Sequence, residues 1–285
     1  MLKFLTKAII FLGVVVGAIT FVYLYDLYQE IKDDIDSVVN YNPKQSTQFF
    51  DKNGKLLANT FKDENREYVN YDDIPARVIE GLVAIEDTQF FEHFGVNPDA
   101  ISRAIIKNIQ SGGYSEGAST LTQQLIKVLL LSREKKIIRK VKEALLAIRL
   151  ETVLTKEEIL ERYLNHVYFG HGYYGVKTAA KGYFKKNLYE LTLKEIAILV
   201  GLPRAPSFYD PTKNLQVSLA RANQVITRMH TLGWINNEQF EESINETPTI
   251  YNQTLTQNIA PYAIDYAVSE LVNDIPDILY GGYKV

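Results

Sequence analysis

No cysteine occurs among the 285 residues, which rules out disulfides, thiol nucleophiles and cysteine-ligated zinc. Histidine is scarce as well: His93, His166, His171 and His230 show no HExxH-type spacing, so a His-based metal site is not expected. The chain also lacks an excess of positive charge. A net charge of -3 and a pI near 5.9 give no global basic field for nucleic acid, and any anionic partner must be met locally. There is no internal repeat and no low-complexity tract. With 46% hydrophobic residues, the chain has the material for one large domain or two small ones with a real core.

Charge is also missing from one long segment. Between Ala8 and Tyr25 the sequence reads AIIFLGVVVGAITFVYLY, uncharged and preceded by Lys3 and Lys7. This approaches the roughly 20 apolar residues that span a bilayer core. A cleaved signal peptide would end on small residues, whereas Phe21, Val22, Tyr23, Leu24 and Tyr25 close this run, so an uncleaved anchor is expected. Lysines before the span and Asp26, Glu30, Asp33 and Asp34 after it put the N-terminus in the cytoplasm and the rest on the extracytoplasmic side.

Beyond a polar helical stalk, STQFFDKNGKLLANTF reads as two short strands around a turn at Asn53 and Gly54, with REYVNY as a possible third extended piece. From Ile74 onward helical periodicity dominates, punctuated by Pro98, Gly112, Gly113, Thr155, Gly170, Gly172 and Pro203. The expected class is mainly α. Its expected parts are a cytoplasmic tail (1–7), a transmembrane anchor (8–25), a stalk (26–45), a small β element (46–73), a helical domain (74–247) and a connecting segment (248–285).

One carboxylate is out of place. Ile79, Leu82, Val83, Glu86 and Phe90 fall on a single apolar stripe at helical spacing, with Glu86 in its middle. Such a glutamate is costly unless paired, hydrogen-bonded or protonated. It is either a helix-end residue whose head reaches water or pairs with Arg77 or His93, or a general acid or base with a pKa raised by an apolar pocket. A second feature is the run Lys127, Arg133, Lys135, Lys136, Arg139, Lys140 and Lys142, which offers a local clamp for phosphate or an anionic surface as an alternative to a solvated helix face. A third, GGYSEGASTLTQQ, is a glycine- and serine-rich loop entering a helix without the GKS or GKT of a P-loop. Glu143 lies off the main apolar stripe of its helix, which is Ile138, Val141, Leu145 and Ile148, and an Arg139–Glu143 helix pair accounts for it. Ser132–Lys135 and Ser243–Asn245 match SxxK and SxN, but no KTG accompanies them and no acyl-enzyme chemistry is read here.

In order and spacing, EDTQFFEHFG, EGASTLTQQLIK, RKVKEALLAIRLE, ILERYLNHVYFGHGYYGVKTAAKGYF and LTLKEIAILVGLPRAPSFYDP resemble the five motifs of the peptidoglycan glycosyltransferase domain (glycosyltransferase family 51) of class A penicillin-binding proteins. The resemblance runs from about Ile74 to Gly233. It implies a lysozyme-like fold in two lobes, the smaller partly embedded in the membrane. The implied reaction is polymerisation of lipid II into β-1,4-linked glycan with release of undecaprenyl pyrophosphate. By the same resemblance Glu86 is the base on the acceptor 4-hydroxyl and Glu143 the second catalytic carboxylate. Substrate contacts fall to Asp87, Ser119, Thr120, Gln123, Gln124, Lys127, Lys135, Arg139 and Lys140. A divalent cation, Mg2+ or Mn2+, is implied, coordinated largely by the pyrophosphate. The implied partners are lipid II, the growing glycan strand and the membrane. Ala118, Val128 and Lys135 stand where the family usually has glycine, asparagine and arginine, and Lys135 trades bidentate phosphate geometry for a point charge. The tail from Ala260 resembles the linker into a transpeptidase domain. Two other readings compete: a lysozyme-type lytic glycosidase, and a non-catalytic membrane-anchored scaffold.

Overall fold

The computed structural model describes residues 2–40, 43–61, 64–113, 117–130, 136–252 and 258–285. It is mainly helical, as the periodicity predicts. Its contacts form two compact units, one built from residues 1–41 and 93–155, the other from 42–92 and 156–285. The division falls inside EDTQFFEHFG, between Glu92 and His93.

The first unit begins with helix α1 (Leu2–Ile31), which extends beyond the apolar run on both sides. Ile9–Ile31 is long and apolar enough to cross a membrane, and the side chains of Ile9, Phe11, Val14 and Phe21 lie exposed along it. A short α2 (Asp34–Val39) then packs Ile35 and Val38 against α5 (Leu121–Leu130) and α6 (Lys136–Leu150). Lys142 of α6 reaches back to Glu30 of α1 at 3.2 Å. Helix α4 (Pro98–Ser111) starts on Asn97, whose side chain accepts the Ala100 amide at 2.9 Å, and ends on the left-handed Gly112. Ile101, Ile105, Ile106 and Ile109, at helical spacing on α4, are exposed.

The second unit is centred on α3 (Ala76–Glu86), α9 (Leu193–Gly201) and α10 (Leu215–Thr231), which pack on one another through Leu82, Val83, Leu199, Val200, Val225, Ile226 and Met229. Gly81 permits the close approach, since a Cβ there would stand 3.3 Å from a Val200 methyl. Around this core lie α7 (Lys156–His166), α8 (Val176–Phe184) and α11 (Asn237–Asn245). Asn165 of α7 is buried and clamps the chain at residue 69, accepting from the Val69 amide at 2.8 Å and donating to its carbonyl at 2.7 Å. Gly182 of α8 lies flat against the Tyr173 ring.

The hairpin is present, with β1 (Thr47–Phe50) antiparallel to β2 (Leu56–Thr60). Its turn is held by the Asp51 carboxylate, which accepts the amides of Asn53 and Lys55 and is thereby kept below the usual carboxylate range. The third extended piece behaves differently. Only Asn65–Arg66 forms a strand, β3, and it pairs in parallel with β4 (Tyr173–Tyr174) in a separate sheet. The amides of Glu67 and Val69 donate to Thr178 Oγ1 and Asn165 Oδ1, both at 2.8 Å, and hold the segment on α8 and α7 away from the hairpin. The C-terminal segment, expected as a connecting segment, buries against the hairpin. Ile264 of α12 (Pro261–Leu271) and Ile278 pack on Phe49 and Ala58. The last residues run along β1, with Gln48 donating to Tyr283 at 2.8 Å and Phe50 to Val285 at 2.7 Å.

Gly182 offers a sharp test of this packing. A Cβ there would meet the Tyr173 ring at 2.2 Å, so Gly182→Ala is expected to cost about 1–3 kcal/mol by overpacking. Chemical denaturation should show it; a stability equal to wild type would contradict the α8–Tyr173 packing.

Candidate active site

Helix α3 delivers the first carboxylate. The stripe of Leu82 and Val83 is buried as the spacing predicts, and Glu86 is the last helical residue, with a side chain 10% exposed. The helix stops here because Asp87 turns to φ -158 and ψ 73 while its amide still caps the Val83 carbonyl at 3.0 Å. Phe90 is buried too, but it lies in the following turn, beyond the helix to which the sequence pattern assigns it. Asp87 is buried, and its carbonyl accepts the Phe90 amide at 2.9 Å.

Of the ion-pair partners expected for Glu86, Arg77 is committed elsewhere. Arg77 is engaged with Glu80 at 2.8 Å and the Trp234 carbonyl at 2.6 Å. Arg221 of α10 instead brings its Nη2 to 3.2 Å from Glu86 Oε1, with its own side chain 5% exposed. The pocket is therefore charged as well as apolar. Burial pushes the Arg221 titration down and the Glu86 charge opposes that shift. Tyr163 of α7, fully buried, has its phenol pushed well up, first by burial and then by the Glu86 charge. Sequence reasoning missed Arg221 because 135 positions separate it from Glu86. The available signal was a lone arginine between Ala220 and Ala222 on a helix whose neighbouring core positions are apolar.

In the first unit the second carboxylate, Glu143, has a side chain with no exposure at all. Lys140 donates to its Oε2, and the Arg139 Nε lies 3.2 Å from its Oε1 as a charge contact without hydrogen-bond alignment. Lys140 also donates to Ser119 Oγ at 2.8 Å, joining the loop before α5 to α6. The Arg139–Glu143 pair expected from spacing is thus present, but on the buried face. Leu146, Ala147 and Leu150, beside Glu143, are fully buried, whereas Ile138 and Ile148 of the supposed main stripe are exposed. Helix α6 is apolar on two sides, and periodicity chose the wrong one. Its other side contributes Ile137, Val141, Ala144, Leu145 and Lys140 to an apolar pocket of about 660 Å³ completed by Leu24 of α1.

Thr120 and Gln123 turn out to cap α5. The Thr120 amide donates to Gln123 Oε1 at 3.0 Å and the Gln123 amide to Thr120 Oγ1 at 3.1 Å, a reciprocal cap whose T-x-x-Q signature is visible in the sequence. Thr120 Oγ1 also donates to the Gly95 carbonyl at 2.6 Å. Gly95 is left-handed (φ 75) and passes so close to α6 that a Cβ would stand 2.6 Å from the Ala147 carbonyl carbon. Gln124 is partly buried, Lys127 is exposed, and Lys135 lies outside the described residues. Among the described residues no group of three His, Asp or Glu side chains could hold a metal ion.

The family model for transglycosylases matches residues 53–230, which takes in both carboxylates. The chain belongs to the transglycosylase family. This transglycosylase is 40% identical to penicillin-binding protein 1A of Aquifex aeolicus over 95% of the chain and 37% of that protein. It is 38% identical to penicillin-binding protein 1A of Escherichia coli over 92% of the chain and 31% of that protein. Among solved structures it matches the crystal structure of penicillin-binding protein 1A from Haemophilus influenzae with a TM-score of 0.47 and 27% identity, covering 86% of the chain and 26% of that protein. The chain spans about a third of the length of these curated relatives.

The burial of Glu143 in this transglycosylase has a measurable consequence. Glu143→Gln removes the charge facing Lys140 and Arg139, and is expected to lower stability by about 1–3 kcal/mol. Thermal unfolding with Lys140→Gln and the double variant checks this; strictly additive losses would show the pair to be uncoupled.

Proposed function

We propose that this chain is a membrane-anchored peptidoglycan glycosyltransferase that polymerises lipid II and releases undecaprenyl pyrophosphate. The observation that carries the proposal is the match of the transglycosylase family across residues 53–230, which includes a nearly buried Glu86 held in an ion pair. Glu86 is the base: the acceptor sugar's 4-hydroxyl oxygen bonds to the anomeric carbon of the donor, its proton goes to the Glu86 carboxylate, and the bond from that carbon to the pyrophosphate oxygen breaks. Attack opposite the departing pyrophosphate inverts the anomeric centre. Asp87, next in the chain, is a further proposed substrate contact.

Negative charge develops on the pyrophosphate as the bond breaks, and fixed cations stabilise it best. Arg139 and Lys140 are the cations that Glu143 orients, with Ser119 on Lys140; Lys127, Lys135 and Gln124 complete the proposed contacts. Thr120 and Gln123 act on substrate indirectly, by fixing the start of α5. A divalent cation would arrive on the pyrophosphate, because the described residues form no cage for it. The lipid part of the substrate suits the apolar pocket beside α1, and the exposed isoleucines of α4 suit the membrane surface. The catalytic residues lie on the extracytoplasmic side.

One observation favours the scaffold reading: both carboxylates sit in ion pairs, as purely structural glutamates do. Glycan synthesis from labelled lipid II in detergent with Mg2+ separates the two. Glu86→Gln should lose about 10²-fold or more of the polymerisation rate while remaining folded. Undiminished polymer from Glu86→Gln would return Glu86 to a structural role, and soluble fragments released from preformed glycan would favour the lytic reading.

A further inference from the structure

Arg221 is built into the second unit at some cost. A buried guanidinium loses its hydration, and a buried ion pair adds little net stability compared with apolar packing. Yet several features accommodate it. Gly201, at the end of α9, leaves the space its stem occupies: a Cβ there would stand 2.9 Å from Arg221 Cγ. Gln224, one turn along α10, accepts from Arg221 Nη1 at 3.1 Å. The Tyr209 ring lies 5.6 Å from Arg221 Cζ. Arg221 Nε, also buried, makes no hydrogen bond among the described residues. An arrangement selected for stability alone would not leave that donor unspent, since an unmet buried donor costs about 1–3 kcal/mol.

We propose that Arg221 is a positioning residue for Glu86: it fixes the orientation of the carboxylate and keeps it in the charged, proton-accepting form. This rests on the assignment of Glu86 as base. Groups of the second unit that face Glu86 or act on its pair include Arg221 from α10, Tyr163 from α7, and Arg204 and Tyr209 from the segment between α9 and α10, with Asp87 next in the chain. Tyr163, with its phenol pushed up, stays neutral throughout the working range. Arg204 bears on the site through its repulsion of Arg221. Arg221 is a cation in direct contact with the Glu86 carboxylate, its Nη2 at 3.2 Å from Oε1. Glu80 and Arg77 of α3 are paired with each other, a turn or more away from Glu86 along the helix.

The sign of the effect is fixed. A neighbouring cation favours the ionised carboxylate, so its removal makes Glu86 hold a proton to higher pH. The rate then begins to fall at higher pH on acidification. In Arg221→Met, kcat should drop about tenfold or more, and the acid limb of the kcat profile should move up by about one pH unit, with KM for lipid II within about twofold of wild type. Arg221→Lys should restore the limb toward its wild-type position without restoring kcat, because a point charge cannot reproduce the planar fork. Gln224→Ala, which loosens Arg221 without touching Glu86, should shift the limb in the same direction by less.

A second readout is independent of turnover. Titration of the carboxyl carbon in protein labelled with 13C at glutamate Cδ, assigned by the signal lost in Glu86→Gln, should give a higher midpoint in Arg221→Met and Gln224→Ala than in wild type. An unmoved midpoint in the folded variants would overturn the inference, even if they polymerise slowly. Failure of wild type to polymerise lipid II would instead overturn the functional assignment, leaving the carbon midpoint to decide the pairing.

Discussion

The second unit depends on a charge being carried into a protein interior and met there. Glu86 ends a helix whose inner face is Leu82 and Val83, and Arg221 reaches it from α10. Neither charge is tolerable alone at that depth, and together they roughly offset their desolvation. This constraint explains otherwise unrelated residues: a glycine at 201 to admit the arginine stem, a glutamine at 224 to hold its fork, and tight packing of α3, α9 and α10 at Gly81. The first unit meets the same constraint with Glu143, enclosed between Lys140 and Arg139. A carboxylate held charged in such a place can accept a proton without first shedding a hydration shell, which is the property a base on a sugar hydroxyl needs.

The second organising constraint is that apolar side chains lie both in the core and on outward faces. α1 carries its bulky residues outward, and α4 leaves a row of isoleucines uncovered. In α6 both surfaces occur on one helix: Leu146, Ala147 and Leu150 face inward with Glu143, while Val141 and Leu145 line the pocket beside α1. A hydrophobic stripe read from sequence therefore does not identify the core side of such a helix. For that reason Glu143 seemed to lie off the important face when it lies on it.

Much of the fold was nonetheless legible. The helices from α3 to α10, the hairpin turn at Asn53 and Gly54 and the breaks at Pro98 and Gly112 follow from periodicity and turn chemistry, which act over a few residues. Glu86 could be singled out because a charge inside an apolar stripe is conspicuous at short range. What could not be read are the contacts made across long separations: Arg221 on Glu86, Asn165 on residue 69, and the C-terminal residues along β1. Thr120 and Gln123 illustrate a different loss. Their T-x-x-Q spacing is a capping signature as well as part of a family motif, and spacing alone does not separate the two meanings.

The claim that Glu86 accepts the proton as a new glycosidic bond replaces the bond to pyrophosphate is tested most directly by stoichiometry. Undecaprenyl pyrophosphate released and glycosidic bonds formed should be counted together, for wild type and for folded Glu86→Gln. The account predicts one lipid pyrophosphate per bond in wild type, and loss of both products together in the variant. Wild-type rates in Glu86→Gln, or pyrophosphate released without a bond formed, would contradict it.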